Sequence, residues 1–346
     1  MKAVVFAGPG RVELDDVPTP RVEEPDDAVV MVSRTSICGS DLHLLDGKTP
    51  GMPVGGVIGH EFVGVVAGRG PGLEGLREGD RVVGSFLIAC GRCSQCRAER
   101  FNFCAHRRAL GLGPLMGNLA GAQAEYVRVP RAEVNLRALA GPFAGLDDEM
   151  ALFAGDILAT GEYAAELAGR PDYCVVIGAG PVGVFCALAA RRRGAKVLVI
   201  DGDPGRVRFA ERLGLAAATP GEAADEVVAR ATEGSMADVA VEAVGAPAAF
   251  RSALRCVRDG GRVVVVGVYG AERYDLPMGR SWARGTQIVF TGMGNVQAHW
   301  EGALHAVARG EIDPTQVITN RLPLDEAVEG YELFRSREAM KVVLTP

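Results

Sequence analysis

The stretch Cys174-Val-Val-Ile-Gly-Ala-Gly-Pro-Val-Gly183, with Lys196-Val-Leu-Val-Ile-Asp201 after it, decides how the chain is read. Cys174 to Ile177 is a short, continuous apolar run, as expected of a strand buried on both faces. Gly178, Gly180 and Gly183 then fit G-x-G-x-x-G. In that pattern the first glycine makes a tight turn and the second lets backbone approach a pyrophosphate. The third lets the helix pack close to the strand. A helix is expected from Pro181 to Arg193, opening on Pro181-Val182, and its first turn favours a diphosphate. The second apolar run ends at Asp201, 23 positions after Gly178. An acid at that distance accepts hydrogen bonds from the adenosine ribose. Strand, glycines, helix, strand and acid in order predict a dinucleotide site. Asp201 favours NAD over NADP, because a carboxylate repels a 2′-phosphate, with Arg206 near enough to soften the preference.

Working outward, 346 residues suggest two domains. A net charge of −6 gives no basic footprint for nucleic acid or an acidic membrane. No apolar run reaches the roughly 20 residues that span a bilayer. The opening Met1-Lys-Ala-Val-Val-Phe-Ala is too short for a signal peptide. The expected location is the cytoplasm, where eight cysteines serve metal binding more readily than disulfides.

Residues 1 to 150 read as short strands separated by Gly and Pro clusters: Lys2–Phe6, Ala28–Thr35, Phe62–Ala67, Arg81–Val83 and Ala124–Val129. From about 150 onward helices and apolar strands alternate, which predicts a doubly wound α/β domain with a mostly parallel sheet. Its later strands are expected at Asp238–Glu242, Arg262–Gly267 and Gln287–Thr291. The Ala/Glu-rich stretch Ala216–Ala231 reads as a loop plus a helix. Beyond about 292 come two helices and a final strand, Lys341–Leu344.

Two groups of residues suggest metal. Cys90, Cys93, Cys96 and Cys104 are spaced C-x2-C-x2-C-x7-C. Four thiolates so close can close a tetrahedral shell round a structural zinc. An iron–sulfur cluster or two disulfides are the alternatives; the last gap is long for a ferredoxin run and no Pro follows Cys104. The second group is dispersed: Cys38-Gly-Ser-Asp-Leu-His43 after a strand and Gly59-His60-Glu61 before one. Thiolate, imidazole and carboxylate suit zinc, but nothing in the spacing shows that Cys38 and His60 meet.

Taken together, Cys38-x-Ser40-x-x-His43, Gly59-His60-Glu61, the four-cysteine lobe and the glycine-rich loop resemble the zinc-containing medium-chain alcohol dehydrogenases along essentially the whole chain. The segments Gln123–Pro130 and Phe153–Gly161 look most like the glutathione-independent formaldehyde dehydrogenase branch, and Gly39 is normal among polyol and threonine dehydrogenase relatives. The resemblance implies a GroES-like β-rich catalytic domain, 1–150 plus 292–346, with a structural-zinc lobe at 90–104. A Rossmann domain, 151–291, is inserted between its two parts. It implies two zinc ions per chain and NAD, and hydride transfer between an alcohol and the nicotinamide. Cys38, His60 and Asp156 match the catalytic zinc ligands, with Asp156 where many members carry Cys. Glu61 matches the acid beside that zinc. Ser40 and His43 match a proton relay, and Phe86 a pocket-wall aromatic. Thr160, Arg206, Gly245, Gly267, Val268 and Lys341 match cofactor-binding positions. A small alcohol or aldehyde is the implied substrate, and a tetramer or dimer the implied assembly. Competing readings are a dismutase or epimerase that retains its NAD, and a non-catalytic zinc and dinucleotide-binding protein.

Overall fold

Parallel strands covered on both faces bury every side chain, so they need near-continuous apolar sequence. Tyr173–Ile177 and Lys196–Ile200 have it and form adjacent parallel strands, Cys174 opposite Val197 and Ile177 opposite Ile200. The computed structural model describes residues 1–47, 51–219, 223–270 and 273–346. It divides into two compact units, Met1–Ala159 with Asn295–Pro346, and Thr160–Gly294.

The second unit is built on a six-stranded parallel sheet. Its order is Ala216–Ala218, Lys196–Ile200, Tyr173–Ile177, Ala237–Glu242, Val257–Val265 and Gln287–Phe290. Numbered along the chain this is 3-2-1-4-5-6, the doubly wound order, whose direction of winding reverses beside Tyr173–Ile177. Ala216–Ala218 corrects the expectation of a loop: it is the edge strand, with Leu198 opposite Ala216. Three alanines carry no strand signature of their own; hydrogen bonding to the neighbouring strand makes them one. Pro220, Gly221 and Glu222 of the same stretch lie outside the described residues. Helix Pro181–Arg192 follows the first strand, with Gly180 as N-cap.

The first unit contains a seven-stranded sheet. Asn320–Pro323, Val342–Thr345, Ala28–Ser36, Glu61–Arg69, Arg81–Gly84 and Leu136–Ala138 run in that order, and Tyr126–Val129 also pairs with Ala28–Ser36. Val30, Val32, Phe62, Val66, Val82 and Val127 fill one core of this unit. Ile37, Leu44, Ile58, Tyr331, Val342 and Leu344 share another. The final strand joins this sheet through Val343 opposite Ser36. Among the described residues no helix is long and apolar enough to cross a membrane.

The division falls at 159/160 and 294/295 rather than at 150/151 and 291/292. Asp148 accepts hydrogen bonds from Ser33 Oγ and Arg81 Nη2, both at 2.6 Å, and the Phe86 amide donates to the Gly155 carbonyl at 3.1 Å. These bonds hold the segment to the first unit. At the other end, the Thr291 amide donates to Val265 at 3.1 Å and extends the parallel sheet past its last strand.

Candidate metal centres and dinucleotide loop

In the four-cysteine lobe, Cys93 is the N-cap of the short helix Ser94–Arg97, and Cys96 lies inside that helix. The sulfur separations are 3.5 Å for Cys93–Cys96, 3.9 Å for Cys93–Cys104 and 4.0 Å for Cys90–Cys96. A zinc tetrahedron with ~2.3 Å zinc–sulfur bonds has edges of about 3.8 Å. Backbone N–H groups of Cys90 and His106 point at the Cys104 sulfur, both at 3.3 Å. Burial and the neighbouring thiols push Cys96 up to about 12, whereas backbone N–H groups of Cys96 and Ala105 draw Cys93 down to about 6. Sulfurs packed this closely suit a cation that stabilises all four thiolates together.

The dispersed residues also meet. Cys38 is the N-cap of helix Gly39–Leu45, at the end of strand Ala28–Ser36. His60 immediately precedes strand Glu61–Arg69. Because Ser36 pairs with Glu61 across the two strands, Cys38 and His60 emerge at the same end of the sheet. Asp156 caps the 3-10 turn Phe153–Gly155. Its Oδ2 lies 3.4 Å from His60 Nε2 and 3.8 Å from Cys38 Sγ. All three side chains are buried. Tetrahedral zinc with one N, one O and one S donor needs edges of about 3.4 and 3.6 Å for these two pairs. Three donors leave a tetrahedral cation one further position, the catalytic type of site. Ser40 Oγ is 3.1 Å from His60 Nε2, and the Phe86 ring stands edge-on to the imidazole at 5.9 Å. Ser40 and His43 lie one turn apart on the same short helix, both half-buried.

Asp41 is a site residue that motif reading passes over. Its Oδ1 lies 3.2 Å from His60 Nδ1, so the imidazole presents Nε2 to the other donors. Asp41 Oδ2 accepts from the Cys38 amide at 2.9 Å and from Gln123 Nε2 at 3.2 Å. The available signal is its place: the third helical position, where an acid reaches back to the cap amide. Burial alone would lower the His60 pKa, but Asp41, Asp156 and Cys38 outweigh it and hold the imidazole well above its usual range. So many anionic groups round one imidazole suit a cation.

Lys341 has a partner that the motifs do not announce. It matches a pyrophosphate-binding position, yet it is 1% exposed and its Nζ lies 2.5 Å from Glu61 Oε2. The ammonium is held in a buried ion pair because the final strand sits beside Ala28–Ser36, which in turn pairs with Glu61–Arg69. Ser36 Oγ donates to the same Glu61 oxygen. Burial pushes the Glu61 carboxyl up to about 7 against the opposing charge of Lys341.

In the second unit the glycine-rich loop has the expected geometry. Gly178 has φ +107°, and a Cβ at Gly183 would lie 1.9 Å from the Gly178 carbonyl oxygen. At Gly180 only Arg206 Nη1, 3.9 Å away, approaches the position of a Cβ, so there is room for a ligand. Pro181 and Val182 open the helix. Asp201 Oδ2 accepts from the Ala179 amide at 2.7 Å and lies 4.0 Å from Arg206 Nη1. Asp201 and Arg206 therefore flank the loop. Gly245 follows strand Ala237–Glu242, and Gly267 and Val268 follow Val257–Val265. A Cβ at Gly245 would lie 2.3 Å from the Val268 carbonyl oxygen, so the two loops touch. Thr160 is buried in helix Ile157–Ala168. Glu242 Oε1 accepts from the Val244 and Gly245 amides at 2.8 and 2.9 Å, a buried tie that motif reading did not single out.

Comparison with known proteins agrees with this geometry. Residues 24–137 match the alcohol dehydrogenase GroES-like domain, and residues 181–309 match the zinc-binding dehydrogenase family. The zinc-type alcohol dehydrogenase-like protein AdhB of Bacillus subtilis (strain 168) is 34% identical over 380 residues, covering 100% of both chains. The alcohol dehydrogenase TADH from Thermus sp. ATN1 has a TM-score of 0.94 and 43% identity, covering 100% of this chain and 99% of that one. A zinc-binding dehydrogenase from Sinorhizobium meliloti 1021, bound to NADP, has a TM-score of 0.85 and 28% identity, covering 100% and 99%. The matches span both units, and the chain belongs to the zinc-containing medium-chain alcohol dehydrogenase family, as an alcohol oxidoreductase.

Proposed function

We propose that the protein oxidises a primary, secondary or polyol alcohol to the aldehyde or ketone with NAD as hydride acceptor, and that it holds two zinc ions per chain. The observation that carries this reading is the convergence of Cys38, His60 and Asp156. Cys90, Cys93, Cys96 and Cys104 hold the second, structural ion. When bound, zinc supplies Lewis acidity at the alcohol oxygen and the nicotinamide supplies the hydride acceptor. The chain's own residues do the rest. Asp41 fixes the His60 ring, as carboxylates do for metal-binding histidines. Ser40, beside His60 Nε2, accepts the alcohol proton and passes it on, and His43 delivers it to solvent near neutral pH. Asp201 accepts the adenosine ribose hydroxyls, and its carboxylate is the reason for preferring NAD. Arg206 beside it leaves NADP a weaker alternative.

The protein works in a reducing compartment, which keeps the ligand thiols free. It assembles with copies of itself. Supporting this is the outer edge of the parallel sheet, Gln287–Phe290, where Phe290 is 66% exposed, and the preceding helix, where Trp282 is 83% exposed. Apolar side chains so exposed along a sheet edge mark an association surface.

The deciding experiment measures metal per chain together with NAD and NADP reduction over primary, secondary and polyol alcohols. Two zinc ions per chain and NADH formation are expected. One zinc and no turnover would sink the reading. Protein purified with NAD already bound, and inactive with added NAD, would point instead to the retained-cofactor dismutase or epimerase.

A further inference from the structure

Glu61 lies beside the Cys38, His60 and Asp156 cluster, and its two carboxylate oxygens are treated unequally. Oε2 takes both Lys341 Nζ at 2.5 Å and the Ser36 hydroxyl. Oε1 is buried and has no hydrogen-bond partner. Glu61 is 0% exposed, so bulk solvent does not bathe it. Its charge acts on Asp156 and His60, and that of Lys341 acts on Cys38 and Asp156, so the pair belongs electrostatically to the metal cluster.

We propose that Lys341 and Ser36 form a latch that holds Glu61 back from the metal and keeps the fourth coordination position free for substrate. A divalent cation held by Cys38 and Asp156 is already charge-balanced. Asp41 and Glu61 add two negative charges in the same buried region, and Lys341 returns one positive charge. Take the ammonium away and the Glu61 carboxylate loses its counter-charge, so it must either take up a proton or find another cation. A metal held by His60, the residue before Glu61, would be such a cation, and the unpartnered Oε1 is the atom free to bind it. Lys341 suits this task because its backbone is anchored independently of Glu61. Its carbonyl accepts from the Thr319 amide at 3.0 Å and the Thr319 hydroxyl at 3.2 Å. The Phe153 ring lies 5.5 Å from the ammonium on the turn that leads to Asp156. Lys341 and Ser36 are thus positioning residues, acting on the metal through Glu61.

The inference rests on reading Cys38, His60 and Asp156 as a metal site, and the test separates the two. Full-length protein is loaded with cobalt, and its visible spectrum and rate of metal loss to a chelator are measured. Cys38→Ser supplies the spectrum of the four-cysteine lobe alone. Lys341→Met should shift the cobalt bands of the Cys38 site, because an oxygen ligand is added, and slow its metal loss by about tenfold. Lys341→Arg should keep the wild-type spectrum. The double variant Lys341→Met/Glu61→Gln should lose both the shift and the slowing. Ser36→Ala, which leaves the ion pair in place, should shift the bands the same way but less, and it serves if Lys341→Met does not fold. Wild-type spectrum and rate in Lys341→Met, or in Ser36→Ala where that variant has to serve, would overturn the latch. So would a change that survives Glu61→Gln. Identical spectra for wild type and Cys38→Ser would instead overturn the metal site itself.

Discussion

The two ligand clusters of the first unit are assembled in opposite ways. Cys90, Cys93, Cys96 and Cys104 come from 15 consecutive residues, and local turns aim their sulfurs. Cys38, His60 and Asp156 come from positions up to 118 residues apart, and three separate features of the sheet bring them together. The first is the Ser36–Glu61 register, which sets Cys38 beside His60. The second is Asp41, which orients the imidazole. The third is the approach of Gly155 to the end of strand Arg81–Gly84, where a Cβ on Gly155 would lie 2.1 Å from the Gly84 carbonyl oxygen. The lobe has only a small apolar neighbourhood, chiefly Phe101 and Val134. The dispersed site is set in a sheet that stands without it. On the proposed reading, the four-cysteine lobe should need its ion in order to fold, and the dispersed cluster should need its fold in order to hold an ion.

This contrast is most sharply tested by paired ligand substitutions. Cys38→Ser should abolish turnover, by about a thousandfold or more, while thermal unfolding stays within a few degrees of wild type. Cys93→Ser should do the reverse first, lowering the unfolding temperature and the yield of folded protein, because metal-binding free energy in such lobes is folding free energy. Calorimetry and metal analysis on both variants check this, and full activity in both would end the distinction. A subtler break comes from Asp41→Asn. It touches no metal-binding atom, yet metal affinity at the dispersed site should fall by about 10- to 100-fold as the imidazole loses its orienting carboxylate. Competition with a chelator reads that change, and the four-cysteine lobe should be unaffected. Smallest is Gly155→Ala, where one methyl meets backbone that has little room to move. A stability cost of about 1–3 kcal/mol is expected, with turnover reduced through displacement of Asp156. Unchanged kinetics in Gly155→Ala would show that the close approach does not set the ligand's position.

Legibility followed the same division. The lobe's spacing and the glycine-rich loop were readable because each is a local pattern whose residues meet within one or two turns. The buried apolar strands Tyr173–Ile177 and Lys196–Ile200 were readable for the same reason. Ala216–Ala218 was not, because its strand character comes from the neighbouring strand and not from its side chains. Asp156 was found only through family resemblance, since nothing in its own segment points to Cys38 or His60. The resemblance matches Lys341 to a pyrophosphate-binding position, and only the sheet order reveals that its ammonium faces Glu61.

Sequence alone therefore sufficed for the parallel α/β unit, the glycine-rich turn with its acid at Asp201, and the four-thiol lobe. Hydrophobic periodicity, backbone freedom and ligand spacing are properties of contiguous residues. Spacing and residue type left open whether Cys38, His60 and Asp156 meet, a grouping only the family resemblance implied; the tertiary structure brings them together, sets Asp41 against the imidazole and pairs Lys341 with Glu61. Those relations are set by strand register and sheet order, which bring distant residues within hydrogen-bonding range through the summed packing of the whole unit rather than through any one segment.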